Sequence, residues 1–364
     1  MYIHCPVSTI FRLQLHQRGS IVTSVRMLGE HTFKHIRVAN PLPESTHLKY
    51  SLPTIRAWLR TCEQEHRTCK ATSSYIPLRL LDLMLDDPDM VKLVQLSPTL
   101  DIAPQYACLS HCWGRTRSKH NTANLSKNLH SIPVSELPKT FREAINIARA
   151  LETRFLWADS LCIVQDDDSD WCQHVQAMAR IYENAHVTLA AGASVDDDGG
   201  FFVTSPNDDT KIQSLELSIH ERVYHLHFHR ILDHPDSHWV GNELFPLMQR
   251  GWCFQERLLS RRFLCFGCKE VMWECKEEVA CSCSMIEGAF NPRSLGNKPS
   301  FRRSSATKAD MYTTLLGEGT NAWRWLMNKY TTQRLTYADD KLPALAGLVA
   351  AFQVSGCLPL RLSI

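Results

Sequence analysis

The stretch Phe141–Ala191 reads FREAINIARALETRFLWADSLCIVQDDDSDWCQHVQAMARIYENAHVTLAA. Phe141, Ala144, Ile145, Ala148 and Leu151 recur at the spacing of one helix face. An apolar run from Phe155 to Val164 follows and stops at an acidic turn, Asp166 to Asp170. Val175, Met178, Ile181, Tyr182 and Ala185 mark a second amphipathic helix, and Val187 to Ala191 a second apolar run. Helix, strand, acidic loop, helix, strand is the order of a parallel α/β sheet. Ligands of such sheets sit at the carboxyl ends of the strands, so the cluster Gln165-Asp166-Asp167-Asp168 is expected at such an end.

Working outward, Gln105 to Leu109 reads as a buried strand that ends in Ser110-His111-Cys112-Trp113-Gly114, followed by a basic, polar loop from Arg115 to Asn128. Pro138 stands at a helix start, where its missing N–H costs nothing. Further upstream, Ile55 to Cys69 reads as a short amphipathic helix, and Leu78–Leu85 and Val91–Leu96 as strands about an acidic turn. Downstream come a turn-rich loop containing Asp196-Asp197-Asp198-Gly199-Gly200, an alternating hairpin over 212–230, and a helix-then-strand pattern from Arg250 to Phe266. Residues 284–308 are rich in Ser, Arg, Pro and Gly and are expected to be mobile, with helices at Trp323–Tyr330 and Asp340–Phe352 after them. The chain divides into an N-terminal extension or small subdomain (1–99), a central domain (100–265) and a C-terminal extension (266–364).

At 364 residues and a net charge of +2 the chain carries no bulk electrostatic footprint for nucleic acid. Its apolar runs are too short to span a bilayer, and no secretory signal is evident. Several of the 14 cysteines, Cys108, Cys162, Cys253 and Cys265 among them, sit inside strand- or helix-like runs, as reduced, buried thiols of a cytoplasmic protein do. A disulfide framework is not expected.

Three blocks carry a family resemblance: Tyr106-Ala107-Cys108-Leu109-Ser110-His111-Cys112-Trp113-Gly114; Leu137-Pro138-Lys139-Thr140 through Trp157-Ala158-Asp159-Ser160-Leu161-Cys162-Ile163-Val164-Gln165-Asp166 to Met178, Ile181-Tyr182 and Ala185; and Arg250-Gly251-Trp252-Cys253-Phe254-Gln255-Glu256-Arg257-Leu258-Leu259-Ser260-Arg261. In order and spacing they resemble the heterokaryon incompatibility (HET) domain of filamentous fungi. His111 and Cys253 stand where other members often carry tyrosine or serine, and threonine or serine. The resemblance implies a part in fungal non-self recognition and regulated cell death, with self-association and an incompatibility partner protein. It also implies a distant kinship with TIR domains, hence a TIR-like, flavodoxin-like parallel sheet flanked by helices, with β-rich insertions and added terminal helices.

TIR domains of the plant type carry Trp-Cys-x-x-Glu at a helix start, and its glutamate is catalytic in NAD cleavage. Trp252-Cys253-Phe254-Gln255-Glu256 has the same spacing. The resemblance therefore makes Glu256 the candidate catalytic residue and NAD a candidate substrate, with no cofactor firmly indicated. Cleaving a nicotinamide–ribose bond builds oxocarbenium character, which a nearby carboxylate stabilises. Trp113 and Trp252 are candidates to stack on the bases, backbone N–H groups after Ser110 to hold phosphate, and Asp159 to form a polar wall with Arg250 as partner. Against each stands a structural role: Glu256 as an ion-paired helix residue, Asp159 as a strand-end cap. The alternative to an enzyme is a signalling module acting through protein contacts.

Other clusters weigh less. Cys62, His66 and Cys69, at i, i+4 and i+7, share one face of the helix Ile55–Cys69 and offer soft zinc ligands, with Cys281 or Cys283 as a fourth. A buried face using cysteine as a hydrophobe is the plainer reading. His225, His227 and His229 share one face of a strand, and hairpin histidines are more often structural. The acidic loop lacks the glycine and distal glutamate of an EF-hand, and its last aspartate is expected to cap the next helix. Ser110 and His111, adjacent on a strand, point to opposite faces and make no hydrolase dyad.

Overall fold

The computed structural model describes residues 42–70, 75–97, 103–114, 121–204, 244–284 and 326–354, with a few strands outside them. Those at the N-terminus are β1 (Tyr2–His4), β2 (Ile10–Arg12), β3 (His16–Gln17), β4 (Ser20–Ile21) and β5 (Ser24–Met27). Helix α1 (Leu48–Glu65) leads to the hairpin β6 (Arg79–Asp82) and β7 (Met90–Gln95). Then come β8 (Tyr106–Ser110), α2 (Leu125–His130), β9 (Ile132–Pro133), α3 (Lys139–Ala150), β10 (Phe155–Trp157), α4 (Asp159–Cys162), α5 (Asp168–Asn184) and β11 (Val187–Ala190). The hairpin β12 (Gln213–Ile219) and β13 (Arg222–His229) precedes α6 (Gly251–Leu259), β14 (Arg262–Phe266), β15 (Val271–Cys275), β16 (Val279–Cys281) and α7 (Pro343–Val354).

One nine-stranded sheet, ordered β16-β15-β14-β11-β8-β10-β6-β7-β9, organises the molecule. Its centre is parallel: β10 and β11 flank β8, and β14 lies beyond β11. Helical crossovers make those connections, through α3, α5 and α6 in turn. Both outer margins are antiparallel. The expected mixed α/β architecture is present, and β6 and β7 belong to this sheet. The separate hairpin of β12 and β13 forms as expected and pairs with β5.

Strand register sorts side chains onto two buried faces. Tyr106, Cys108 and Ser110 alternate toward α5 and α6: Tyr106 Oη donates to Ile181 O (2.7 Å), and Trp157, opposite Cys108, meets Tyr182 edge-on. On the other face Leu109, Leu189, Leu264 and Trp273 lie in register, and Trp273 stacks on Trp58 of α1. Arg56 of α1 also donates to Ala150 O at the end of α3 (2.8 Å). Helices thus cover both faces, and β8, β11 and β14 are buried along their whole length.

Several expectations need correction. Phe155–Val164 is not one strand: pairing stops at Trp157 and Asp159–Cys162 turns into a helix. That turn is buried on nearly all sides, which leaves an apolar run without helical periodicity. The residue delivered to the strand's carboxyl end is therefore Asp159, not the Gln165–Asp168 cluster. The acidic residues are engaged one by one: Asp166 accepts from Thr122, Asp167 caps α5 through Ser169 N and Asp170 N, and Asp170 pairs with the buried Arg79. The cap is thus Asp167 rather than the last aspartate, because Asp170 is held by Arg79 and Val164 N (2.8 Å). Part of the expected loop 115–128 is helical, from Leu125. Helix α1 begins at Leu48, upstream of Pro53, and ends before His66. Residues 285–308 of the segment 284–308 and the side chains of His225, His227 and His229 lie outside the described residues. Among the described residues, no helix is long and apolar enough to cross a membrane, and the described cysteines are free thiols.

Helix α7 lies against α5 and α6 through Gly347, where a Cβ would sit 2.7 Å from Ala179 Cβ, 2.9 Å from Leu259 Cδ1 and 3.0 Å from Gln255 Oε1. Helix propensity alone favours Gly347→Ala by about 1 kcal/mol, whereas overpacking a tight helix contact costs about 1–3 kcal/mol. The contact wins because Ala179 has no rotamer with which to yield. Gly347→Ala is expected to lower the urea midpoint, and Gly347→Val to lower it further. A midpoint equal to or above wild type for Gly347→Ala would show that α7 does not sit this close.

Candidate functional site

At the carboxyl edge of the parallel strands, the chain leaves β8 toward β10 on one side and reaches β11 on the other. Connections diverge there, and open α/β sheets hold ligands in such crevices. Ser110, the last residue of β8, is 1% exposed and Glu256 of α6 is 6% exposed. Ser110 Oγ donates to Glu256 Oε2 at 2.5 Å. The pair exists because Ser110 is in register with Ala190 on the face that α6 covers, and α6 drops back from the edge toward β14.

Burial raises the Glu256 carboxyl, the Asp159 charge raises it further, and Ser110, Arg250 and Tyr182 oppose them; the balance is a pKa of about 7. Asp159 is also raised, by burial first, with Arg250 pulling the other way. Asp159 Oδ2 accepts from Trp113 Nε1 (2.8 Å), and Oδ1 from Ser160 N (2.7 Å). Ser110, Trp113, Asp159 and Glu256 are thus brought to one edge, with Arg250 as their shared cation. Arg250 Nη1 itself donates to His111 O (3.0 Å). A carboxyl poised near neutrality beside a hydroxyl and a second carboxylate can take or release a proton and can face a developing cation.

Trp252 is not drawn into this group. Its indole N–H donates to Asp340 Oδ2 (3.0 Å), which ties that ring edge to the turn before α7. His111 points to the opposite face from Ser110, as strand alternation requires, and packs edge-on against Phe141 of α3. Burial, then Arg250, lowers its pKa to about 3, so it is neutral at physiological pH. Glu256 makes no ion pair with Arg257, whose guanidinium is taken by Glu274 of β15.

Two features of the site had no sequence signal strong enough to single them out. Gly114 admits the Asp197 carboxylate so closely that a Cβ would lie 1.7 Å from Asp197 Oδ1. The loop around Asp197 is fixed in turn by α3: Gly200 N donates to Thr140 Oγ1 (3.0 Å) and Phe201 N and Phe202 N donate to Glu143 Oε2 (2.5 and 3.0 Å). Gly200 needs its left-handed φ of 81° to make that turn.

The metal candidates also move. Cys62, His66 and Cys69 do come together, but Cys275 completes the group, all ligating atoms lying within 4.8 Å of one another. Cys281 and Cys283 sit instead with Glu270, whose Oε2 accepts from Cys283 N (2.9 Å).

Residues 106–256 match the family described as heterokaryon incompatibility protein (HET). The match opens at the first residue of β8 and closes at Glu256. A 132-residue segment is 33% identical to heterokaryon incompatibility protein 6, OR allele, of Neurospora crassa; it covers 33% of this chain and 19% of the relative's length. No solved structure matches the chain.

Glu256 gives the site a pH signature. Its pKa is raised from 4.5 unfolded to about 7 folded. The native state therefore keeps a proton that the unfolded chain has lost, and stability from this group falls as pH rises across that window, then levels. Glu256→Gln removes the titration. Its stability relative to wild type is expected to climb by about 3 kcal/mol between pH 4.5 and pH 8, read from urea melts of both proteins. Parallel curves would mean that the carboxylate is solvated.

Proposed function

We propose, from the premise that residues 106–256 are a heterokaryon incompatibility domain, that this chain acts in fungal vegetative incompatibility and that its crevice cleaves the nicotinamide–ribose bond of NAD or a related nucleotide. The observation that carries the proposal is the buried contact of Ser110 with Glu256 at the divergence point of the parallel strands. The order β10-β8-β11-β14, second-first-third-fourth along the chain, is also the order at the start of a flavodoxin-like sheet, whose ligand lies between its first and third strands. Trp252 to Glu256 repeats the TIR spacing, and α6 carries its glutamate to that gap.

In the proposed reaction the bond from ribose C1′ to the pyridinium nitrogen breaks heterolytically. The electron pair stays with the nitrogen, and nicotinamide leaves neutral, so no general acid is needed. Positive charge grows on the ribosyl ring, where the Glu256 carboxylate faces it. Water then adds to C1′ and gives its proton to Glu256, whose pKa of about 7 suits a base at cellular pH. Asp159 holds Trp113 as one wall of the crevice. Loss of NAD is the proposed route to growth arrest and cell death.

A second reading rests on the burial of Glu256 and on the hydrogen bond its Oε2 accepts from Ser110. In it the carboxyl is a structural group, and the domain signals by self-association and contact with a partner protein. The two readings separate on cellular NAD after induced expression of the full chain in a heterologous host, beside Glu256→Gln. NAD collapse with growth arrest in the wild type, and a loss of cleavage of about 100-fold or more in the variant, is the expected result. Arrest at unchanged NAD in both would sink the enzymatic reading in favour of the contact module.

A further inference from the structure

Where α1 ends, three side chains converge with a fourth from the far margin of the sheet. Cys62 lies in the last turn of α1, His66 is its C-cap, and Cys69 follows in the next turn. Cys275 closes β15, 209 residues after His66. All three sulfurs are inaccessible to solvent, and the ligating atoms of the four residues lie within 4.8 Å of one another. His66 Nδ1 is 3.3 Å from Cys275 Sγ. Tetrahedral zinc with Zn–S bonds of about 2.3 Å sets its ligands about 3.8 Å apart, so an ion needs only a small contraction of this cage.

We propose that Cys62, His66, Cys69 and Cys275 form a structural zinc site that clasps the end of α1 to the β15–β16 turn. Packing of cysteine as a hydrophobe does not explain the donors aimed at these sulfurs. Glu277 N and Glu278 N point at Cys275 Sγ (3.4 and 3.2 Å), and Arg262 Nε at Cys62 Sγ (3.1 Å). Thiols are weak acceptors, and such donors suit thiolates. Three thiolates, a neutral imidazole and a divalent ion sum to one negative charge, which buried Arg262 balances. Glu278 Oε2 stands 3.8 Å from His66 Nε2, the carboxylate position that orients a ligating histidine. Glu277 fastens the opposite strand of the clasp by accepting from Thr68 N and Oγ1 (2.5 and 2.7 Å).

The donor set selects the metal. Three soft sulfurs and one nitrogen exclude calcium and magnesium and match closed zinc sites. Four protein ligands leave no open position, so the role is structural. The site lies on the α1 face of the sheet, away from Ser110 and Glu256, and stands or falls independently of the proposed reaction.

The test is metal analysis of the full chain purified without chelators or nickel resin. Wild type is expected to carry about one zinc per chain, with X-ray absorption showing three sulfurs and one nitrogen at the metal. Cys283→Ser should retain it, and Cys275→Ser should lose it. If Cys275→Ser fails to fold, cobalt exchange into wild type supplies the readout: sulfur-to-cobalt charge transfer with intense tetrahedral bands. A folded, metal-free wild type that takes up neither zinc nor cobalt would overturn the proposal. So would zinc lost in Cys283→Ser and kept in Cys275→Ser, which would move it to the Glu270 group.

Discussion

Ser110 reaches α6 only because β8 and β11 pair in parallel with Ser110 opposite Ala190. A slip of one residue would turn every side chain of β8 to the other face, sending Ser110 toward α3 and His111 toward Glu256. The buried alternation forbids it: Tyr106 and Cys108 fit the α5 face, while Ala107 and Leu109 fit the face of α1 and α3. Parallel strands require crossovers, and crossovers here lay α3 on one side and α5 and α6 on the other. The candidate site is thus a by-product of register, fixed by residues that never touch it.

Burial then sets the electrostatics. Asp159 and Glu256 share a low-dielectric edge on which one guanidinium, Arg250, lowers both, and the Asp159 charge adds to burial in raising Glu256. The local result is a Glu256 that titrates near neutrality and a His111 that stays uncharged through the same range.

Much of this was legible in the chain and some was not, for reasons that differ by residue. The helices from Phe141 and from Val175, the strand into Ser110 and the helix–strand after Arg250 all show because each has a wet side or a clear end. Asp159–Cys162 hid inside Phe155–Val164 because a helical turn buried all round leaves no period to count. Glu256 and Ser110 were visible through motif spacing, and Asp159 through the oddity of a carboxylate in an apolar run. Trp252 was equally visible as a motif residue, but its partner, Asp340, lies 88 residues away. Cys275 was invisible as a ligand for the same reason: nothing local ties it to His66. Asp197 hid among three successive aspartates, and only the close approach at Gly114 sets it apart.

The support beneath α6 arrives late in the chain. Gly251 N donates to Arg334 O (2.9 Å), Leu335 closes over Gly251, and Gly347 seats α7 on Leu259 and Gln255. During translation, Ser110 leaves the ribosome long before any of these residues exist. A nascent chain therefore holds the first half of the crevice without its carboxylate, and then the carboxylate without its brace. The edge with its carboxylate and brace in place therefore exists only after α7 has emerged, so the order of synthesis delays its assembly.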